Sequence, residues 1–476
     1  MKRFLLLLAM AAAAACSPAA DFSARLMSFN VRMSAGGDGE NCWENRRDAA
    51  LAMITACNPD CFGVQEAMPD QMEDLRGGLP EYASVGVPRD GDGKGECMAV
   101  FYRTDRLKLL DSASFWLSET PREVSYGWDA ACRRTATFVR LKDRASRTEF
   151  AYINTHLDHM GPVAREESVK LLVHLADSLA AGIPVVIGGD LNSGISPIFQ
   201  PFLQAGFVSA RVSAPVTDGR GTYNGWGTAD EPIDHFFVRG LETESFRVVR
   251  DDFGVPFVSD HYPIEITLAP ARERKTAVVL GDSYSTFYAF IPEVNDCWYF
   301  TDPHEQNDVC LPEQTWWRLL CSRLDFRLVL NQSWSGATVC NTGYNGKDYS
   351  DRSFVGRADE CAALRPDLLF ICGGTNDSWA GIPVGELKFA DWTDEDLYCF
   401  LPAFCRMLDK IRTASPSTRI VNVLNSELSE EVTRGQIDAC AHYGVECVLL
   451  EDVEKGWGHP SVAGMQAICD QVAALF

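Results

Sequence analysis

The chain contains no Cys-x-x-Cys pair, no run of basic residues, no internal repeat and no low-complexity linker. The first absence removes the usual zinc spacing, so the 17 cysteines are read as core residues, as with Cys372 in LLFICGG, or as partners in disulfides that spacing cannot assign. The second leaves 43 Lys and Arg against 66 Asp and Glu, a net charge of -23. Such a surface repels polyanions, which excludes stable nucleic-acid binding and favours small or surface-borne substrates. Apolar residues make up 46% and charged ones 23% of 476, which is soluble globular material for more than one core, since single cores stop growing near about 250–300 residues.

A long apolar run is also missing. The longest candidate, Phe4 to Ala15, lies between Lys2-Arg3 and Cys16 and is shorter than the roughly 20 residues that a spanning helix needs. It has the shape of an export signal, expected over residues 1–20 with its tether. Its Ala-Ala-Ala-Cys end resembles a bacterial lipoprotein box, with Ala13 where Leu is more usual. The resemblance implies lipidation at Cys16 and an outer-membrane location, on the periplasmic or cell-surface face. Release as a soluble secreted protein is the alternative.

What the rest holds is α/β pattern. From Leu26 to Leu268 strand-like runs (RLMSFNVR, DCFGVQE, TEFAYINTHL, PVVIGGDL, DHFFVRG, HYPIEITL) are interrupted by helical ones, notably ENRRDAALAMITAC and VAREESVKLLVHLADSLAAG with Pro162 at its start. After APARERK, strands and helices alternate from TAVVLGDS to SVAGMQAICDQVAALF, the order of a parallel sheet covered on both faces. The boundary falls at about 270–275, giving expected domains of 24–270 and 275–476.

In the first region polar residues stand at strand ends: Asn30, Glu66, His156, Asp190, Asn192, Asp234, Asp260 and His261. Each alone has a structural explanation, but together and in this order they resemble the endonuclease/exonuclease/phosphatase superfamily over 24–270. The resemblance implies a four-layer α/β/β/α sandwich and metal-dependent phosphoester hydrolysis. It places Mg2+ or Mn2+ on Glu66, with Asn30 nearby and Asp260 a candidate to close the shell. His261 handles the proton of a water, oriented by Asp234; His156 binds phosphoryl oxygens, and Asp190 with Asn192 positions the water or the leaving group. Some relatives carry an acid two residues after the motif asparagine, where this chain has Arg32, which argues against a second full metal site. Either Arg133 or Arg134 reaches the substrate phosphate, or both are solvated. Tyr223 and Trp226 in GTYNGWG suggest an aromatic platform.

In the second region Ser283 of VVLGDSYS, Gly336 of NQSWSGATV, Asn376 of ICGGTNDSW and His459 of GWGHPSVAG resemble the SGNH (GDSL-type) hydrolases over 275–476. That implies a flavodoxin-like three-layer α/β/α domain in which Ser283 attacks an acyl carbon and His459 takes its proton. The amides of Ser283, Gly336 and Asn376 hold the oxyanion. The family's Asp three residues before the histidine is Gly456 here, so a backbone carbonyl or a displaced acid such as Asp452 or Glu454 orients His459, or the site is inactive.

The reading is an exported, lipid-anchored hydrolase with a phosphoester site and an acyl-ester site, acting on one doubly substituted substrate such as a phospholipid or glycan phosphate, or merely tethered. A secreted nuclease with an accessory esterase is one rival. A glycan-binding surface lipoprotein with relic hydrolase folds is the other.

Overall fold

A computed structural model describes residues 21–302 and 307–476; the expected signal segment and Cys16 lie outside them. Two six-stranded sheets are built from residues 24–270. The first runs in the order Leu241–Val248, Ile264–Pro270, Ala24–Asn30, Cys61–Gln65, Val100–Arg103, Tyr82–Val85. The second runs Leu107–Trp116, Thr135–Asp143, Glu149–His156, Val185–Asp190, Asp234–Arg239, Val208–Ser209.

Their side chains divide by the two-residue period of a strand. Leu26 and Ile266 meet Tyr152, Val186 and Phe236 between the sheets. Met27, Phe29 and Phe62 face the other way, with residues of helices Trp43–Cys57 and Pro69–Gly78. Phe138, Ile153 and Ile187 pack with Val169 and Leu172 of helix Pro162–Leu179. The result is helix, sheet, sheet, helix. Proline at the first turn of Pro162–Leu179 sits where its missing N–H leaves nothing unpaired.

The second half holds a five-stranded parallel sheet in the order Arg327–Ser333, Thr276–Gly281, Leu368–Cys372, Arg419–Leu424, Glu446–Leu449. Helices Phe354–Ala363, Phe400–Ala414 and Glu430–Tyr443 share a core with Val278, Leu280, Leu369 and Ile371. Helices Trp316–Leu324 and Val462–Ala473 share the opposite core with Ala277, Val279 and Phe370. This is the three-layer α/β/α arrangement. Among the described residues every cysteine is free, Cys372 is buried, and no helix is long and apolar enough to cross a membrane.

The halves are joined by more than their linker. Val212 of the first half lies in the core of the second. Arg318, buried on helix Trp316–Leu324, donates to the carbonyls of Val212 (2.9 Å), Ala214 and Pro215 (3.2 Å). A charge is worth burying here because it fills several otherwise orphaned acceptors at once. Arg318→Met should therefore lower stability by about 2–4 kcal/mol, since charge-assisted bonds and the carbonyls left unpaired each contribute on that scale. Urea unfolding of the intact chain with an unchanged midpoint would show that this contact does not hold the halves together.

Candidate active sites

The first site is made by strand register. Asn30 ends its strand beside Gln65, so Glu66 emerges next to it. His156 pairs with Asp190 on the parallel neighbour, and Asp190 pairs with Asp234 on the antiparallel one. Gly189 makes the approach possible: its φ is +145°, and a Cβ there would lie 1.8 Å from the Thr155 carbonyl oxygen. Three non-glycine residues at the site, Arg32 (φ 54°), Glu66 (61°) and Asn192 (49°), hold left-handed backbone, the kind of strain that persists only where the surroundings over-determine it.

Asn30 donates through Nδ2 to Glu66 Oε1 (3.0 Å) and Asp190 Oδ2 (2.9 Å). The Asp190 carboxylate also takes the Asn192 N–H (2.9 Å) and faces Nε2 of His156 at 3.4 Å and of His261 at 3.6 Å. Asp234 Oδ2 lies 2.8 Å from His261 Nδ1, which orients the ring. The Asn192 side chain donates to the Leu157 carbonyl (3.0 Å). Asp260 accepts from Ser259 Oγ (3.2 Å), whose hydroxyl also reaches the Asn30 carbonyl (2.7 Å).

Charge follows this geometry. Burial, reinforced by Asp234 and opposed by His261 and Asn30, raises Asp190 to about 7. Burial would lower His261, but Asp234, Asp190 and Asp260 outweigh it and raise it to about 10. His156 is held well below its ordinary value, by burial first and then by Arg134 and His261. It is neutral, and its Nδ1 is buried without a hydrogen-bond partner.

Among the described residues three groups have ligand atoms close enough to share an ion: Glu66 with His156 and Asp190, Asp190 with Asp234 and His261, and, on the segments carrying Arg134 and His159, Cys132 with Asp158 and His159. Asp260 belongs to none of them; it faces Arg32, whose guanidinium lies 3.8 Å from Asp260 and 3.9 Å from Glu66 while pairing with Asp38 at 3.0 Å. Arg32 thus places a fixed positive charge between the two acids. The carboxylate oxygens of Glu66 and Asp190 suit a hard divalent cation, whereas an imidazole ligand from His156 would favour a softer transition metal.

The other residues singled out in the sequence divide. Tyr223 lies 5.0 Å from the His261 ring, whereas Trp226 packs near Arg46 and Phe257. Arg133 pairs with Asp90 (3.2 Å) and lies over Tyr126. Arg134 is buried on Asp158 (3.4 Å) and His159 (3.0 Å), so neither arginine is simply solvated. Sequence reasoning missed Arg46, which donates to the carbonyls of Val31 (2.6 Å), Arg32 (2.8 Å) and Val258 (2.9 Å) and so clamps both segments that carry site residues. A buried arginine in an amphipathic helix leaves no signal in the pattern.

The second site stands at the carboxyl edge of the parallel sheet. Ser283 follows strand Thr276–Gly281, its turn capped by Asp282, which accepts the Tyr284 N–H (3.1 Å). Ser283 Oγ lies 2.9 Å from His459 Nε2, and His459 Nδ1 lies 3.1 Å from the Trp457 carbonyl oxygen. Glu454 is engaged by Ser461 Oγ (2.6 Å) and Asp452 is exposed. Among the described residues the Trp457 carbonyl meets the imidazole, while of the acids left open by Gly456 Glu454 is engaged elsewhere and Asp452 is exposed to solvent. Trp298 stacks on the His459 ring, 3.6 Å between centroids at 11°. Gly336 takes φ 78°, and Asn376 donates to the Ala337 carbonyl (2.9 Å) while accepting from Tyr344 OH (2.9 Å). Asp377 accepts the N–H groups of Val339 and Cys340, fixing the turn beyond Gly336.

Comparison with known proteins agrees with both geometries. The Endonuclease/Exonuclease/phosphatase family model matches residues 27–261, and the GDSL-like Lipase/Acylhydrolase model matches residues 275–476. An endonuclease/exonuclease/phosphatase from Bacteroides vulgatus is 34% identical, covering 52% of this chain and 100% of its own, with a TM-score of 0.50. A mannosyl-6-phosphatase from Bacteroides thetaiotaomicron is 31% identical over 52% of this chain and 99% of its own, also at 0.50. A candidate GDSL-like lipase from Bacteroides ovatus is 45% identical over 43% of this chain and 98% of its own, with a TM-score of 0.42. The chain belongs to the endonuclease/exonuclease/phosphatase family over residues 27–261, and carries after it, over residues 275–476, a second hydrolase domain of the GDSL-like lipase/acylhydrolase type.

Proposed function

We propose that the protein is an exported, lipid-anchored bifunctional hydrolase in which a Mg2+- or Mn2+-dependent phosphatase acting on small phosphoesters is joined to a serine esterase. The observation that carries this reading is that each half orients a histidine beside a reactive group: Asp234 bonds His261 Nδ1 with its Nε2 turned toward Asp190 at 3.6 Å in one, and the Trp457 carbonyl meets His459 Nδ1 with its Nε2 bonded to Ser283 in the other. The resemblance to a mannosyl-6-phosphatase favours a sugar phosphate as substrate of the first. Export and anchoring rest on Lys2-Arg3, the apolar run and Cys16.

In the phosphatase, Glu66, with Asn30 and Asp260 nearby, would hold the cation, which would neutralise charge on the phosphoryl oxygens. Asn30 fixes Glu66 and Asp190 relative to one another through one amide. The neutral His156 offers a hydrogen bond to the phosphoryl group without adding charge. The proton of the attacking water passes to Asp190, while His261, held protonated by Asp234, stays beside it as a fixed positive charge and Asn192 donates its N–H to the same carboxylate. In the esterase, His459 takes the Ser283 proton, and the amides of Ser283, Gly336 and Asn376 stabilise the tetrahedral oxyanion.

Glu66→Gln should reduce phosphatase turnover by at least a hundredfold and leave esterase turnover within twofold, because it removes one ligand charge from one half. Ser283→Ala should do the converse, and EDTA should spare hydrolysis of p-nitrophenyl acetate. Parallel loss of both activities in a folded single variant would refute two independent sites. Asp452→Asn and Glu454→Gln should each change esterase turnover by less than threefold, since a carbonyl orients His459; a hundredfold fall in either would identify an acid in that role. With a net charge of -23, turnover of mannose 6-phosphate should exceed cutting of duplex DNA at moderate salt, and efficient, salt-sensitive cleavage of plasmid DNA would overturn the substrate class.

A further inference from the structure

Ten residues after Ser283 the chain reads Glu-Val-Asn-Asp-Cys-Trp, residues 293–298. This short segment of the esterase half touches the catalytic loops of both halves. On its own side Asn295 donates to Gln332 Oε1 and the Ser333 carbonyl (both 2.9 Å). The Asp296 carbonyl accepts the Ser335 N–H (2.8 Å), and its carboxylate accepts the Trp334 indole (3.1 Å). Trp298 lies flat on His459. These contacts tie the segment to the turn that carries Gly336 and to the histidine base.

At its other end stands Glu293. Its N–H donates to the Ile195 carbonyl (2.5 Å), Oε1 accepts from Ser193 Oγ (2.8 Å), and Oε2 accepts the Gly194 N–H (2.5 Å). Three bonds thus reach three successive residues immediately after Asp190 and Asn192. Within the phosphatase half, the same loop is held by His235 Nε2 on the Ser193 carbonyl (2.9 Å) and by the Asn192 side chain on Leu157. Asn192 itself sits at φ 49°, a conformation that needs neighbours to hold it.

We infer that residues 293–298 are a strap by which the esterase domain holds the phosphatase's 190–195 loop, with Glu293 as its positioning residue. The inference rests on the proposed phosphatase reading, in which Asp190 and Asn192 act at the reacting phosphoryl group. A carboxylate suits the task because two donors one residue apart, a hydroxyl and an amide, need two acceptors in one plane. Because the strap is anchored on rigid esterase elements, Glu293 is fixed in place before substrate arrives. Misplacement of a catalytic group by about 1 Å can cost on the order of a hundredfold in rate. The Ile195 bond is made by backbone and survives any side-chain change, so a substitution at Glu293 leaves the strap attached.

The test compares Glu293→Leu with Glu293→Gln in the full-length protein. A glutamine can still accept from Gly194 and donate to the Ser193 hydroxyl, whereas leucine makes neither bond. With p-nitrophenyl phosphate as probe, the leucine variant should lose at least tenfold in kcat with KM changed less than threefold. Hydrogen exchange of the peptide spanning 191–196 should rise at least tenfold, and p-nitrophenyl acetate turnover should stay within twofold. The glutamine variant should stay within threefold of wild type throughout. Should the leucine variant not fold, Ser193→Ala removes one of the bonds from the other side and should lower kcat threefold to tenfold. A wild-type kcat in a folded leucine variant, a loss confined to KM, a glutamine variant as impaired as leucine, or an esterase that falls in parallel would each overturn the strap. The exchange arm separates the two readings. Unchanged exchange at 191–196 defeats the strap whatever the kinetics, while a wild-type protein that hydrolyses no phosphoester defeats the proposed phosphatase and with it any catalytic meaning of Glu293.

Discussion

Burying a carboxylate costs several kcal/mol unless its lone pairs are filled and its charge is answered, and the endonuclease/exonuclease/phosphatase half is arranged around doing this for Asp190. Its oxygens receive the Asn30 amide and the Asn192 N–H, and both His156 and His261 turn a nitrogen toward them. Those four partners come from four different segments. The register that aligns His156 and Asp234 with Asp190, and the glycine that lets the strands close, are therefore conditions for the carboxylate to be buried at all. Asn30 extends the arrangement to Glu66, so that acid inherits its position from the same node.

The esterase half solves a related problem with less charge. It already buries Asp282 and Asp377, both raised to about 7 by burial first. Each is used for the backbone: Asp282 caps the Ser283 turn, and Asp377 gathers the N–H groups that follow Gly336. The Trp457 carbonyl, in a residue at φ 54°, supplies a dipole of the right direction with no ion to desolvate. Such a group fixes the tautomer and orientation of the imidazole, although it stabilises the imidazolium less than a carboxylate does.

What could be read from the sequence and what could not follow from the range of the interactions. Strand ends carrying Asn30, Glu66, His156, Asp190 and Ser283 announce themselves because a polar residue closing an apolar run is a local pattern, and their order along the chain is enough to suggest both families. Helix Pro162–Leu179 was legible from its periodicity and its proline. Strand Leu107–Trp116 and helix Phe354–Ala363 were not, since LKLLDSASFW is half exposed and FVGRADECAA mixes small, polar and apolar residues. Arg32 could be seen as the wrong charge for a metal ligand. That its guanidinium would lie between Glu66 and Asp260 depends on segments 34 and 228 residues away, and no local pattern carries that information. The same holds for Arg133 and Arg134, adjacent in sequence and placed in different surroundings.

A flexible tether would let two hydrolases act on unrelated substrates, but this junction is not a tether. Val212 is packed into the partner domain's core, Arg318 fills three carbonyls of the 212–215 segment, and Arg274 of the linker pairs with the buried Glu242 at 2.5 Å. Each of these contacts orders side chains and would be lost in a chain selected only for proximity, because ordering them has an entropic cost that a loose linker avoids. The fixed geometry sets the two sites at a constant separation and orientation. That arrangement is of use when one molecule bears both a phosphoester and an acyl ester, or when one site must be shaped by the domain that holds the other.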